Sequence, residues 1–157
     1  MMRLYFLRHG IAEDHASSDA ERRLTDKGIA QLEDAARLFR GLDLHLKHLY
    51  SSPLVRARQT AEIVGKALDV DVQIRKEVGP GFNVAAVAVL ARDLGHEDEA
   101  LFVGHEPDFS TVVGALIGGR VVMKKASLAR VDILSQSPMS GELAWLLAPK
   151  LYDLFKS

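Results

Sequence analysis

The chain has 157 residues, a formal net charge of −1, 48% hydrophobic residues and no cysteine. That is the size of one ordinary domain, large enough to bury a core without covalent staples. The missing cysteine excludes disulfides and thiol catalysis, the near-neutral charge excludes a general attraction to nucleic acid or acidic membranes, and the lack of a signal segment or membrane-length apolar run reads as a soluble cytoplasmic protein.

In chain order, the apolar run RLYFLR (3–8) predicts a buried strand, and the small and polar residues 9–25 a long loop. Thr25 is placed to cap a helix over 26–40, with Ile29, Leu32, Ala36 and Phe39 on one face. HLYSSP (48–53) predicts a second strand. Ser52 reads as the cap and Pro53 as the first residue of a helix running to Leu68, with Ala57, Ala61 and Val64 on its apolar face. DVQIR (71–75) is a third strand, VGPGFN (78–83) a turn and 84–94 a helix. ALFVG (100–104) is a fourth strand, followed from Pro107 by a helix ending near Gly118–Gly119. Residues 126–134 and 142–148 form a closing antiparallel pair around SQSPMSG. No repeat or linker divides the chain. Alternating strands and helices predict an α/β sandwich with a mostly parallel, mixed sheet.

Three of these strands end in polar residues. The first runs into Arg8-His9-Gly10, the second into Ser51-Ser52-Pro53 ahead of Arg56 and Arg58, and the fourth into Gly104-His105-Glu106. Ligands of open α/β sheets bind beyond the carboxyl ends of the strands, so both histidines are expected at the functional edge. Helix N-termini and arginine forks suit phosphate oxygens. Arg56, leaning toward its helix N-terminus, can reach an anion there. Gly10 removes a side chain where a substrate would approach. Neutral imidazole can take a phosphoryl group and pass it to water. His9 is therefore the candidate nucleophile, with Arg8, Arg56 and a protonated His105 meeting the phosphoryl charge without a metal.

LRHGIAE (7–13), LTDKG (24–28), SSPLVRARQTAE (51–62) and VGHEP (103–107) resemble, in that order, the histidine phosphatase superfamily, and are most similar to its short SixA-type phosphohistidine phosphatases. The resemblance covers nearly the whole chain. It implies one histidine phosphatase domain over 1–157 with a phosphoglycerate mutase-like fold, a three-layer sandwich with helices on both faces of a mostly parallel mixed sheet. His9 matches the residue that becomes phosphorylated, and Arg8, Arg56 and His105 match the rest of the phosphate pocket. Larger members carry long insertions and a carboxylic acid that protonates the leaving group. The insertions are lacking here, and the candidate acids are Glu77 and Glu13. His15, six residues after His9, stands where the mutases carry asparagine.

The function implied is a phosphohistidine phosphatase in signal transduction. It would use no cofactor or metal and hydrolyse a phosphoryl group from a protein side chain through a covalent intermediate on His9. Its partner would be a phosphorylated protein, for example a histidine-phosphotransfer domain, or a small phosphorylated molecule. It would act on neither nucleic acid nor membrane. A small-metabolite or nucleotide phosphomonoesterase, with loops 9–25 and 78–83 enclosing the pocket, is the alternative. A non-catalytic phosphate-binding module is a third reading, disfavoured because a pure binder needs no nucleophile. His45 and His48 lack a carboxylate in metal-ligand spacing, and His96 reads as solvated. Arg120, Lys124, Lys125 and Arg130 read as a basic face, with docking of an acidic partner as the other reading.

Overall fold

The computed structural model describes residues 1–156. Its strands are β1 (Arg3–Arg8), β2 (Leu46–Ser51), β3 (Val72–Ile74), β4 (Glu99–Gly104), β5 (Leu128–Gln136) and β6 (Met139–Leu147), and its α-helices are α1 (Asp26–Arg40), α2 (Val55–Leu68), α3 (Val84–Leu90) and α4 (Asp108–Ile117). One six-stranded sheet has the order β3-β2-β4-β1-β5-β6. The first four of these strands are mutually parallel, and β5 runs antiparallel to both its neighbours, β1 and β6. Among the described residues no helix is long and apolar enough to cross a membrane.

The central strands are apolar on both faces because both faces are covered. Leu4, Phe6 and Phe102 pack with Val87 and Leu90 of α3 and with Phe109 and Val112 of α4. Tyr5, Leu7, Leu101 and Val103 pack with Leu32 and Phe39 of α1 and with Ala61 and Val64 of α2. The result is the expected three-layer sandwich. Phe6 stacks on its strand partner Phe102 at 5.3 Å and meets Phe109 edge-on at 5.8 Å. Thr25 caps α1, its side chain accepting from Gly28 N–H at 2.9 Å.

Several boundaries differ from the sequence reading. β2 starts at Leu46, and the β5–β6 turn shrinks to Ser137–Pro138. α2 starts at Val55, with Leu54 as its cap in extended conformation. Ser52 instead turns its hydroxyl to Leu54 N–H at 3.2 Å and to His105. α3 stops at Leu90 and tightens into a 3-10 turn at Ala91–Asp93. A 3-10 helix at Pro149–Phe155, absent from the sequence reading, packs on α1 with Tyr152 fully buried against Phe39.

The loop after β1 is pinned to α1. Thr25 N–H donates to Ile11 O at 2.9 Å, and Ala12 bridges to Leu24. A Cβ on Gly28 would stand 2.3 Å from that same carbonyl oxygen. Alanine gains about 1 kcal/mol over glycine in a helix, but overpacking against an oxygen that cannot move costs about 1–3 kcal/mol. Gly28→Ala should therefore be destabilising. Denaturant midpoints at constant m-value measure it, and a stabilised variant would mean that the loop yields freely.

Candidate active site

Strand register gathers the site. Arg8 pairs with Gly104 and Ser51 with Val103, so β1, β2 and β4 end level. One residue on, His9 N–H donates to Gly104 O and Ser52 N–H to Val103 O, both at 3.0 Å. His9 and His105 consequently face each other, with ring centroids 5.3 Å apart. Arg56 enters from the first turn of α2. His9, Arg56 and His105 are only 6%, 7% and 5% exposed, and the charges of Arg8 and Arg56 are felt at both rings.

His9 Nδ1 lies 2.7 Å from Gly10 O. A carbonyl only accepts, so Nδ1 carries the hydrogen and Nε2 keeps its lone pair. Burial above all, with repulsion from His105, Arg56 and Arg8, takes its pKa down to about 3. His9 is thus a neutral imidazole with a free Nε2 at physiological pH.

His105 differs from the expectation of an imidazolium. Burial, then the neighbouring Arg56 charge, lowers its pKa to about 4, so its ring is neutral at pH 7. Its Nε2 is 2.7 Å from Ser52 Oγ. The hydroxyl accepts from Leu54 N–H and has its own hydrogen to point at Nε2; in that tautomer the ring hydrogen sits on Nδ1. Arg8 Nε, Arg56 Nε and His105 Nδ1 are all buried without a partner. Buried donors left unpaired are costly, and three of them around one histidine suit a ligand rich in acceptor oxygens.

The arginines are held from behind. Arg8 Nη1 donates to Met123 O at 2.9 Å, and Arg56 donates through Nη1 to Asp19 O at 2.8 Å and through Nη2 to Asp19 Oδ2 at 3.2 Å. Thr60, one turn after Arg56, donates to Arg56 O at 2.8 Å and accepts from Gly10 N–H at 3.1 Å. Gly10 has a different use from the one expected. The space of its missing Cβ faces Leu32 at 2.7 Å, so the glycine lets α1 pack closely rather than making room for substrate. Ser52, Thr60 and Asp19 were missed as site residues. Ser52 and Thr60 lie inside the quoted motif, whereas nothing local marks Asp19.

The remaining candidates make no hydrogen bond to this group. The Glu77 carboxylate is bound to Arg75 at 3.0 Å, and Glu13 is bonded through its backbone to Arg23 and Arg22. Neither carboxylate is bonded to His9, His105, Arg8 or Arg56. His15 and Arg58 are exposed. His45 pairs with Asp43 and His48 with Gln73, and among the described residues no group of three or more His, Asp or Glu is placed to hold a metal ion. The basic face is not continuous. Arg130 is paired across β1 with Tyr5 and bound twice by Asp132, leaving Arg120, Lys124 and Lys125 on the segment beside Met123. Cavities of about 550 Å³ between α1 and α2 and about 680 Å³ beside α4 are not lined by His9, Arg56 or His105.

A family model described as the histidine phosphatase superfamily (branch 1) matches residues 4–79. An uncharacterized protein of Picosynechococcus is 35% identical, covering 95% of this chain and 98% of its own. A phosphohistidine phosphatase SixA homolog of Haemophilus influenzae is 31% identical, covering 76% and 79% respectively. The structure of the protein histidine phosphatase SixA complexed with tungstate is similar over 96% of this chain and 99% of that one, with 27% identity and a TM-score of 0.86.

The buried histidines also set an acid limit on stability. Unfolded, each takes a proton near its ordinary 6.5, but folded only near 3 and 4. Between those values the unfolded chain holds more protons, so stability is lost as pH falls below about 6.5. Replacing both, His9→Gln with His105→Gln, should flatten the fall in unfolding free energy between pH 7 and pH 4.5. Equal slopes for variant and wild type would show that the rings titrate normally.

Proposed function

The chain belongs to the histidine phosphatase superfamily of hydrolases and is SixA-like, and from that premise we propose that it is a phosphohistidine phosphatase acting on a protein side chain. The observation that carries the reading is His9 itself: a buried neutral imidazole, its Nδ1 committed to Gly10 O and its Nε2 free, set among three unpaired buried donors.

The phosphoryl oxygens take the N–H groups of Arg8, Arg56 and His105. Burial and then the arginine charges keep His105 neutral; a bound phosphoryl dianion offsets those charges and favours a proton on that ring. His9 Nε2 attacks phosphorus in line. The new P–N bond forms as the substrate's P–N bond breaks, and the substrate imidazole, already protonated by solvent on its other ring nitrogen, keeps the electron pair and leaves neutral. A water molecule then attacks the phosphohistidine, the P–Nε2 bond breaks, inorganic phosphate leaves and His9 is neutral again. The fixed donors answer the charge of both transition states, and the reaction needs no metal or cofactor.

The leaving group narrows the substrate. A general acid contributes about 10²–10⁴-fold when the departing atom needs a proton. Imidazole protonated on its other nitrogen departs without a proton supplied by the enzyme, whereas an alkoxide does not; the Glu77 carboxylate is engaged by Arg75, and the Glu13 carboxylate makes no bond to the pocket residues. Relatives named phosphohistidine phosphatases support the same assignment. The reading takes 1–157 as one domain, working in cytoplasmic signal transduction, with a histidine-phosphotransfer domain as a fitting partner.

The test is kcat/KM along a leaving-group series at one pH, with chelator present. Phosphohistidine should be fast, p-nitrophenyl phosphate slower and phosphoserine very slow, with Glu77→Gln and Glu13→Gln changing little. A flat series, with alkyl phosphates cleaved as fast as aryl ones, would replace this reading by a small-metabolite phosphatase. Loss of activity on chelation, restored by a divalent ion, would remove the metal-free account.

A further inference from the structure

Arg56 carries five N–H bonds in a rigid plane. Its Nη1 and Nη2 are bound by Asp19 O and Oδ2, while Nε is buried and has no partner. The bound end and the free edge belong to one flat group, so gripping the first fixes where the second points. Asp19 is itself gripped. Its Oδ1 accepts from Arg22 Nη1 at 2.9 Å, and Arg22 Nε donates to Glu13 O at 2.7 Å. The Asp19 side chain is 67% exposed and the Arg56 side chain 9%, so the loop after β1 sends one carboxylate inward to a buried cation.

We infer that Asp19 is a positioning residue, which holds one end of the Arg56 guanidinium and thereby aims its Nε–H edge at the phosphoryl group. The inference rests on the phosphate-binding part given to Arg56 above. Two other uses of this carboxylate fit less well. A general acid must hold a proton, but both oxygens face cations, and the bonds from Arg22 and then Arg56 keep the Asp19 carboxyl below its ordinary range. A competitor for the phosphate would have to sit on the Nε edge, and that is the edge left free.

The test is a double-mutant cycle on wild type, Asp19→Ala, Arg56→Ala and the double variant. It reads kcat/KM for p-nitrophenyl phosphate, vanadate affinity and thermal midpoint. Misaiming a binding group costs up to about 100-fold, so Asp19→Ala should lose about 10- to 100-fold in both kcat/KM and vanadate affinity. In the Arg56→Ala background the same change should cost less than about twofold, because coupled residues do not add. The ratio of phosphohistidine to p-nitrophenyl phosphate rates should stay as in wild type. A loss of the same factor in both backgrounds would reduce Asp19 to a structural residue. Tighter vanadate binding by Asp19→Ala would make it a competitor, and a loss growing with leaving-group basicity would make it an acid; each overturns the inference. Should Asp19→Ala not fold, Asp19→Asn, which keeps one side-chain acceptor, carries the same cycle with a smaller expected loss. If Arg56→Ala alone turns over at the wild-type rate, the part given to Arg56 fails first and takes the inference with it.

Discussion

His9, Arg56 and His105 are buried beside the half-buried Arg8 at the ends of three parallel strands. Groups that carry positive charge repel one another more strongly where the dielectric is low. Arginine cannot give up its proton, so the histidines give up theirs. Both imidazoles are neutral above all because they are buried, with the repulsion adding to it, and neutrality is what a nucleophile requires. The burial and repulsion that cost stability in acid also keep the His9 ring neutral and favour an anion beside the arginines.

The fold meets this cost with groups set behind the pocket. The level ends of β1, β2 and β4 bring two histidines together from chain positions far apart. Gly10 O and Ser52 Oγ each take one ring nitrogen, so each imidazole has one committed and one open side. Met123 O and Asp19 do the same for the two guanidiniums. In every case a partner occupies one side of a planar group, and the opposite side remains for the ligand. Of these four partners Asp19 is the carboxylate, and it reaches Arg56 from the solvent side, where its own desolvation is small.

How much of this can be read from the sequence depends on the range of each interaction. Apolar runs and a helix-capping threonine act locally, so β1, β4 and α1 are legible as written. The four pocket residues are legible because each stands at a strand end or one turn into a helix. Beyond that, tertiary contacts intervene. α2 starts only at Val55, after Ser52 has set its hydroxyl between Leu54 N–H and His105, a residue 53 positions away. Arg130 leaves the basic face because strand pairing places it beside Tyr5 and Asp132. The closing helix of Pro149–Phe155 depends on Tyr152 finding a site against Phe39, and no local periodicity encodes that. Asp19 sits in a polar loop like any other and acquires meaning only when the loop folds back on Arg56.

The central claim is that His9 Nε2 forms a bond to phosphorus. Rapid quenching under alkaline conditions of wild type and His9→Ala with radiolabelled phosphohistidine substrate tests it most directly. The account predicts transient label on wild-type protein that is stable to base, lost in acid and located at His9 by peptide mapping. It predicts no label on His9→Ala, which should retain vanadate binding. Turnover by wild type with no protein-bound label at any time, or label that persists in His9→Ala, would contradict it.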